Sequence, residues 1–408
     1  PETAANIVAY KRLGLSHFAV VDYEIADVQL DRTFSQDGKR RVQSYTTQDS
    51  GVYPGWDRHG RVAIHAWVDG ALTTGSGGLP SRPPVYDDAF TYDAASNPID
   101  IKDARPGAIW DNRDRKLEYD ELHRLTNAMR GNTGTSGWVQ GKGSQNFGLD
   151  MLGNWSSTQR DIDGDGYESS ETEDRAHNSA NEITTQYPNG SGGSPALPFA
   201  YDDAGNLLRQ DTSSTTWEVF VHDAWNRLTR HEYGQSGQSQ RTLNAEYEYN
   251  GLHWRTIKRL PPSSPSSPGE GGGTAGVLRE MYYSASWQIL EERIDLAYST
   301  DPGMDRIEQE VWGIRHIDDP VLRRTLTGEY DMSKADEYYQ LTDAQFSTVA
   351  VIRASNAELV ERVRYDAYGK ATHRWPHDFN DDGYATTGVP GDYYSLWLLA
   401  LGPTPIGH

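Results

Sequence analysis

The chain keeps returning to one short pattern. An aromatic or bulky residue is followed by an acid, two variable residues, a small or polar residue and then an apolar one. Clear copies start at Tyr92-Asp93 (to Ile99), Tyr119-Asp120 (to Leu125) and Tyr201-Asp202 (to Leu207). Looser copies start at Trp56-Asp57, Leu149-Asp150 and Val221-His222-Asp223, with others near Asn178, Asn250 and Asp366. Positions 93, 120, 150, 178, 202, 223 and 250 lie 21 to 30 residues apart. A period of about 25 residues marks one supersecondary unit stacked many times, each too small to bury its apolar face alone.

The unit can be read physically. An acid followed three residues later by Gly or Asn is turn chemistry, because the carboxylate bonds its own downstream backbone and Gly or Asn accepts positive φ. The flanks alternate, as in Glu218-Val219-Phe220-Val221 and Asn226-Arg227-Leu228-Thr229-Arg230, the period-2 signature of a half-buried strand. Each unit therefore reads as an antiparallel hairpin, and the Tyr or Trp before the acid can pack on its neighbour. The 24 Tyr and 12 Trp against 8 Phe suit a thin wall, since both side chains join an apolar body to a polar tip. The expected fold is all-β, a curved or spiralling sheet with helix confined to short pieces.

This series resembles the YD-repeat, or Rhs, proteins over roughly residues 50 to 370. Its most specific part is similar to the Rhs-associated core. Val311-Trp312-Gly313-Ile314-Arg315-His316-Ile317-Asp318-Asp319-Pro320-Val321-Leu322-Arg323 precedes Tyr338-Tyr339-Gln340-Leu341-Thr342-Asp343, Val349-Ala350-Val351-Ile352 and the closing Val363-Arg364-Tyr365-Asp366-Ala367-Tyr368-Gly369. The resemblance implies a sheet spiralling into a hollow shell, often around a C-terminal toxin. Only 39 residues follow Gly369, without an Asp-Pro-x-Gly cleavage signal, so a toxin inside this chain is not expected. Pro1 in place of Met, and a length of 408 residues, suggest a processed or partial shell. The organisation expected is N-terminal edge strands at 1–50, the repeat shell at 51–330, the core-like segment at 331–370 and a tail at 371–408. Pro/Ser/Gly-rich 261–276 reads as a long hairpin tip.

Two segments carry metal-like chemistry. Asp161, Asp163 and Asp165 alternate before Gly166 and Tyr167, like the start of an EF-hand loop, with the Tyr167 carbonyl as a further ligand. The expected closing Glu is displaced, because position 172 is Thr between Glu171 and Glu173. Asp378, Asn380, Asp382, Gly383 and Tyr384 repeat the pattern, with Asp392 as a late closing acid before the apolar run Tyr393–Leu401, which resembles half a dockerin module. Ca²⁺ is the ion these ligands suit. An acidic, solvated loop between repeats is the competing reading at the first, and a polar tail with an apolar anchor at the second.

Net charge −21 argues against a nucleic-acid partner, which needs clustered Lys and Arg. The longest apolar run, Leu396–Leu401, is too short for a transmembrane helix of about 20 residues. Zero Cys excludes disulfides and thiolate metal sites. No catalytic motif stands out, and His59, His123, His177, His222 and His253 fall in or beside repeat turns, where structural roles are expected. Trp155, Trp225 and Trp254 are expected to pack between repeats. The chain is therefore not expected to be an enzyme. Three function classes compete: an extracellular or bacterial cell-surface scaffold, adhesin or container; a fragment of an Rhs toxin-delivery shell; and a secreted protein that binds or acts on carbohydrate. Open sheet edges favour self-association, another chain, or masking by Ile7–Leu30 and Tyr393–Leu401.

Overall fold

The computed structural model describes residues 9–13, 17–23, 28–31, 57, 59–69, 86–103, 114–134, 137–140, 143–161, 172–190, 195–262, 275–301, 303–314, 316–328, 334–355 and 359–374. Among the described residues the regular elements are all strands, 27 of them. Each pairs antiparallel with its chain neighbour, from Ala9–Leu13 on His17–Tyr23 to Leu359–Tyr365 on Ala371–Arg374. One branch interrupts the meander. Strand Leu125–Gly134 carries both Gly137–Gln140 and Ser144–Leu149 beside Asp114–Tyr119. The all-strand, antiparallel architecture is what the alternating pattern predicts, and the sheet is open.

The turns explain the repetition. Take the acid, or its Asn or Ser substitute, as position D. The D amide donates to the carbonyl of D+4 and the D+3 amide donates to the carbonyl of D, as at Asp120, His123 and Arg124 (both 3.0 Å). The pairing register slips just before D, between Glu118 and Tyr119 or Val221 and His222. This is a type I turn closed by a bulge, which needs one left-handed residue. That residue is D+3 throughout: Gly60, Gly153, Gly205 and Gly369 are glycines, and all the described non-glycine residues with positive φ sit there too. They include Trp287 (φ 74) and Phe346 (φ 67), which accept a left-handed penalty of about 1–2 kcal/mol.

The sheet curls so that distant hairpins meet. Trp67, fully buried, packs with Val321, Leu322, Tyr339, Leu341, Ala350, Ile352 and Ala354, with Tyr86 and Val311 at the margin. Its indole Nε1 donates to the Thr342 carbonyl at 2.7 Å, across 275 residues of chain. The residues resembling an Rhs-associated core thus form the main apolar cluster, against a strand from early in the array.

The two faces of this region differ. Leu322, Tyr339 and Ile352 face one another across three strands and join the Trp67 cluster. The opposite face is charged yet buried. Arg279 lies 3.1 Å from Glu292, and Arg323 pairs with Glu310, which also accepts from Gln340 Nε2 at 2.8 Å. Arg306 Nε lies 2.9 Å from Glu308 Oε1, an ion pair without hydrogen-bond alignment. Burial pushes the Glu308 and Glu310 carboxyls up and the Arg306 guanidinium down. Strands with one apolar and one ionic inner face hold their register, since a one-residue slip would set charge against Trp67.

Two outcomes follow for stability. Trp67→Ala should cost about 3–5 kcal/mol, read as a lower urea midpoint, because it empties the cluster and orphans the Thr342 carbonyl. Trp287→Gly should raise the unfolding free energy by up to about 1 kcal/mol, read as a higher urea midpoint, through relief of the left-handed strain.

Candidate functional site

The repeat turns line one rim of the sheet, and their polar groups are committed in a fixed way. At Asp120 the Oδ1 atom accepts from the Leu122 and Arg124 amides, both at 2.9 Å, while Oδ2 accepts from Arg124 Nε at 2.6 Å. The same scheme holds at Asp57, Asp93, Asp150, Asp202 and Asp223. Asn178 and Asn250 keep the Oδ1 acceptor, and Ser284 substitutes its hydroxyl oxygen.

The D+4 side chain then reaches forward to the next turn. Arg61, Arg124 and Arg227 donate to the carbonyls of Asp93, Asp150 and Asn250 at 3.1, 2.7 and 3.3 Å. Where D+4 is Asn, it meets the next D+3 side chain instead: Asn154 with Asn181, Asn206 with Asn226, and Asn97 with His123. This pairing accounts for polar residues at those left-handed positions where glycine would be easiest. The tyrosine at D−1 reaches backward to the carbonyl of the preceding D+5: Tyr92, Tyr119, Tyr249, Tyr283 and Tyr365 donate to Val62, Pro98, Leu228, Arg255 and Thr348. Trp312, which precedes a longer turn closed from Gly313 to Asp319, donates in the same way to Ile289. Arg61 and Arg227 also sit over the next repeat's Tyr92 and Tyr249 rings, at 4.6 and 5.0 Å.

Electrostatics follow the bonding. The Arg227 side chain, then the Arg227 and Trp225 amides, hold Asp223 down at about 2 against the opposing effect of burial. Asn side chains lead the same lowering at Asp93, Asp150 and Asp202, and the Arg124 amide leads at Asp120. Burial would raise Asp57, but the bonds from Arg61 and His59 outweigh it. Asp343 is the exception. It keeps its turn bonds from Gln345 and Ser347, yet burial pushes its carboxyl up.

Asp343 differs because it lies in the seam where the curled sheet meets itself. There Arg115 Nη2 contacts Asp88 Oδ2 at 2.9 Å, and the Tyr86 hydroxyl donates to the same oxygen at 2.8 Å. Further along, the Arg130 guanidinium donates to the Tyr365 carbonyl. Gln145 grips the last turn twice, donating to Asp366 Oδ2 at 3.2 Å and accepting from the Ala367 amide at 3.1 Å. Tyr368 closes the contact edge-on against Phe147 and Trp155, at 4.7 and 4.4 Å between centroids. A cavity of about 530 Å³ lies along the seam, lined in part by Tyr86, Asp88, Arg115, Asp343, Tyr365 and Asp366.

Of the residues read as calcium ligands, Asp161 ends strand Trp155–Asp161, its Cα paired with Ser144. Asp163, Asp165, Tyr167, Asp378, Asn380, Asp382, Tyr384 and Asp392 lie outside the described residues. Among the described residues no three His or acidic side chains converge as a metal would require. The expectation that Trp155, Trp225 and Trp254 share one packing role is corrected. They sit at D+5, D+2 and D+4, and Trp225, on a turn tip, is 65% exposed. The Ser284 turn, absent from the sequence reading, is signalled by Tyr283 before it and Ile289 after it. The Asp343 turn was hidden inside a segment read as core strands.

No family model matches the chain, and no curated protein matches it. Among solved structures, the crystal structure of TcdB2-TccC3-TEV is 10% identical over 89% of this chain and 20% of that chain, at a TM-score of 0.29. TcdB2-TccC3-Cdc42 is 9% identical over 89% and 23%, also at 0.29. The Photorhabdus luminescens Tc holotoxin pore is 8% identical over 87% and 23%, at 0.27. The chain spans about a fifth of the length of the first of these. Scores this low leave the hairpin geometry itself to define the fold.

The opposite shifts give opposite pH behaviour. Asp223 adds stability above its unfolded value of about 3.9, which is lost as pH falls from there to about 2. Asp223→Asn should therefore lower the urea midpoint at pH 7 and flatten its decline below pH 4. Asp343, held up by burial, opposes folding as it ionises. Asp343→Asn keeps an acceptor for Gln345 and Ser347 and should leave the pH 7 midpoint equal or higher.

Proposed function

We propose that the chain is a structural YD-repeat protein, secreted or displayed at the bacterial cell surface, whose curled sheet acts as scaffold, adhesin or container wall without an active site of its own. The observation that carries this reading is where the repeat's polar groups go. Carboxylates, D+4 side chains and tyrosine hydroxyls are used to hold hairpin to hairpin along the rim. Chemistry of this kind makes a wall rigid; it does not converge on a substrate. A glycan array run beside a hydrolysis screen tests it, with neither turnover nor defined sugar specificity expected. Reproducible turnover, or tight selection of one sugar, would sink the reading. Strand Ala371–Arg374 pairs on one side only among the described residues, so another chain, or a second copy, is the partner this wall would take at its edge.

Ca²⁺ belongs to the same proposal, at Asp161, Asp163, Asp165 and the Tyr167 carbonyl, and more weakly at Asp378, Asn380, Asp382, Tyr384 and Asp392. Alternating carboxylates repel one another until an ion neutralises them. Calorimetric titration should show heat in the wild type that falls with Asp163→Ala and, less, with Asp382→Ala. Absence of heat in the wild type would leave the solvated-loop reading.

A further inference from the structure

We propose that the apolar segment Tyr393–Leu401 of this same chain packs on the tips of the Asp120 and Asp150 turns, beside the seam. Three observations meet here. First, the tips present an apolar patch: Leu122 is 67%, Leu152 72% and Met151 95% exposed. The two turns are adjacent, since Arg124 of one donates to the Asp150 carbonyl of the other at 2.7 Å. Side by side, these side chains form the start of a surface that water should not be left to cover.

Second, the patch continues an interface the fold already makes. The hairpin bearing Met151 and Leu152 also bears Phe147 and Trp155, which receive Tyr368 from the last turn. Tyr368 is the D+2 residue of its turn, as Leu122 and Leu152 are of theirs. A turn tip docked on aromatic side chains is therefore a contact this molecule demonstrates, and the patch extends it outward.

Third, the chain leaves the described fold close by. The Asp366 turn that carries Tyr368 leads directly into strand Ala371–Arg374. From Arg374 to Tyr393 is 19 residues, a reach of up to about 60 Å, against about 20 Å for a typical strand. The segment reads Tyr-Tyr-Ser-Leu-Trp-Leu-Leu-Ala-Leu and contains the longest apolar run of the sequence. Tethering gives it a high local concentration at the patch. Tethering favours this segment over a second copy at the patch, because a second copy must bind there from free solution.

The chain has no native Cys, so engineered pairs report cleanly. In Leu152→Cys/Leu398→Cys, a short bis-maleimide should give an intramolecular cross-link, seen as one chain mass plus one linker and located by peptide mapping. The unmodified protein supplies an independent readout. On peroxide treatment Met151 should oxidise about tenfold more slowly than free methionine, and Leu398→Asp should restore the fast rate. A cross-linked dimer would assign the patch to a second copy and overturn the proposal. So would the absence of cross-linking, or rapid oxidation of wild-type Met151.

Discussion

The fold depends on one interaction, a carboxylate that accepts backbone amides two and four residues downstream. That bond fixes a type I turn with a left-handed residue at its end, and the bulge it creates aims the D−1 aromatic at the previous hairpin. One acid therefore closes its own hairpin and orients the group that binds the neighbour. Exposed ion pairs are individually weak. The D to D+4 pairs at Asp57, Asp120 and Asp223 matter because their arginines also reach the next turn, as the Asn side chains at D+4 of Asp93, Asp150 and Asp202 do, so these six turns are tied forward to their neighbours.

The seam shows the same chemistry in another environment. Asp223 and Asp343 have equivalent backbone bonds and opposite titration, because one sits on an open rim and the other is enclosed between two stretches of sheet. Behind the seam, buried Arg–Glu pairs face inward on strands whose other side is apolar. Such pairs add little net stability relative to apolar substitutes, yet removing one partner is costly. Their contribution is to fix register where the meander's strands are short and much alike.

Much of this was legible in the residues. The hairpins at Asp93, Asp120 and Asp202 follow from Tyr-Asp and a small residue three on, and the alternation around Phe220 and Leu228 gives their strands. Turns at Ser284 and Asp343 were obscured because Trp287 and Phe346 occupy the left-handed position, where sequence reasoning expects Gly or Asn. The seam left no local trace. Periodicity describes neighbours, and nothing in the pattern around Trp67 points to Thr342. Tryptophans were misgrouped for a related reason: position within the repeat decides exposure, and D+2 points out where D+4 and D+5 fold back. The calcium-like loops were the sharpest motifs in the chain, and nearly all their residues lie outside the described structure.

The contact between Trp67 and Thr342 also has a kinetic meaning. Apart from the other seam contacts, at Arg130, Gln145 and Tyr368, and the branch on Leu125–Gly134, the described steps of the sheet join chain neighbours, so hairpins can zip from any starting point with small loop-closure cost. Joining residues 275 apart is a different event, because it needs most of the intervening hairpins already in place to bring its two sides together. The molecule therefore has a natural last step, and until that step the Trp67 cluster is an exposed sticky surface. Crowded, newly made chains would be most vulnerable in that interval, when the cheapest partner for one sheet is the same surface on another.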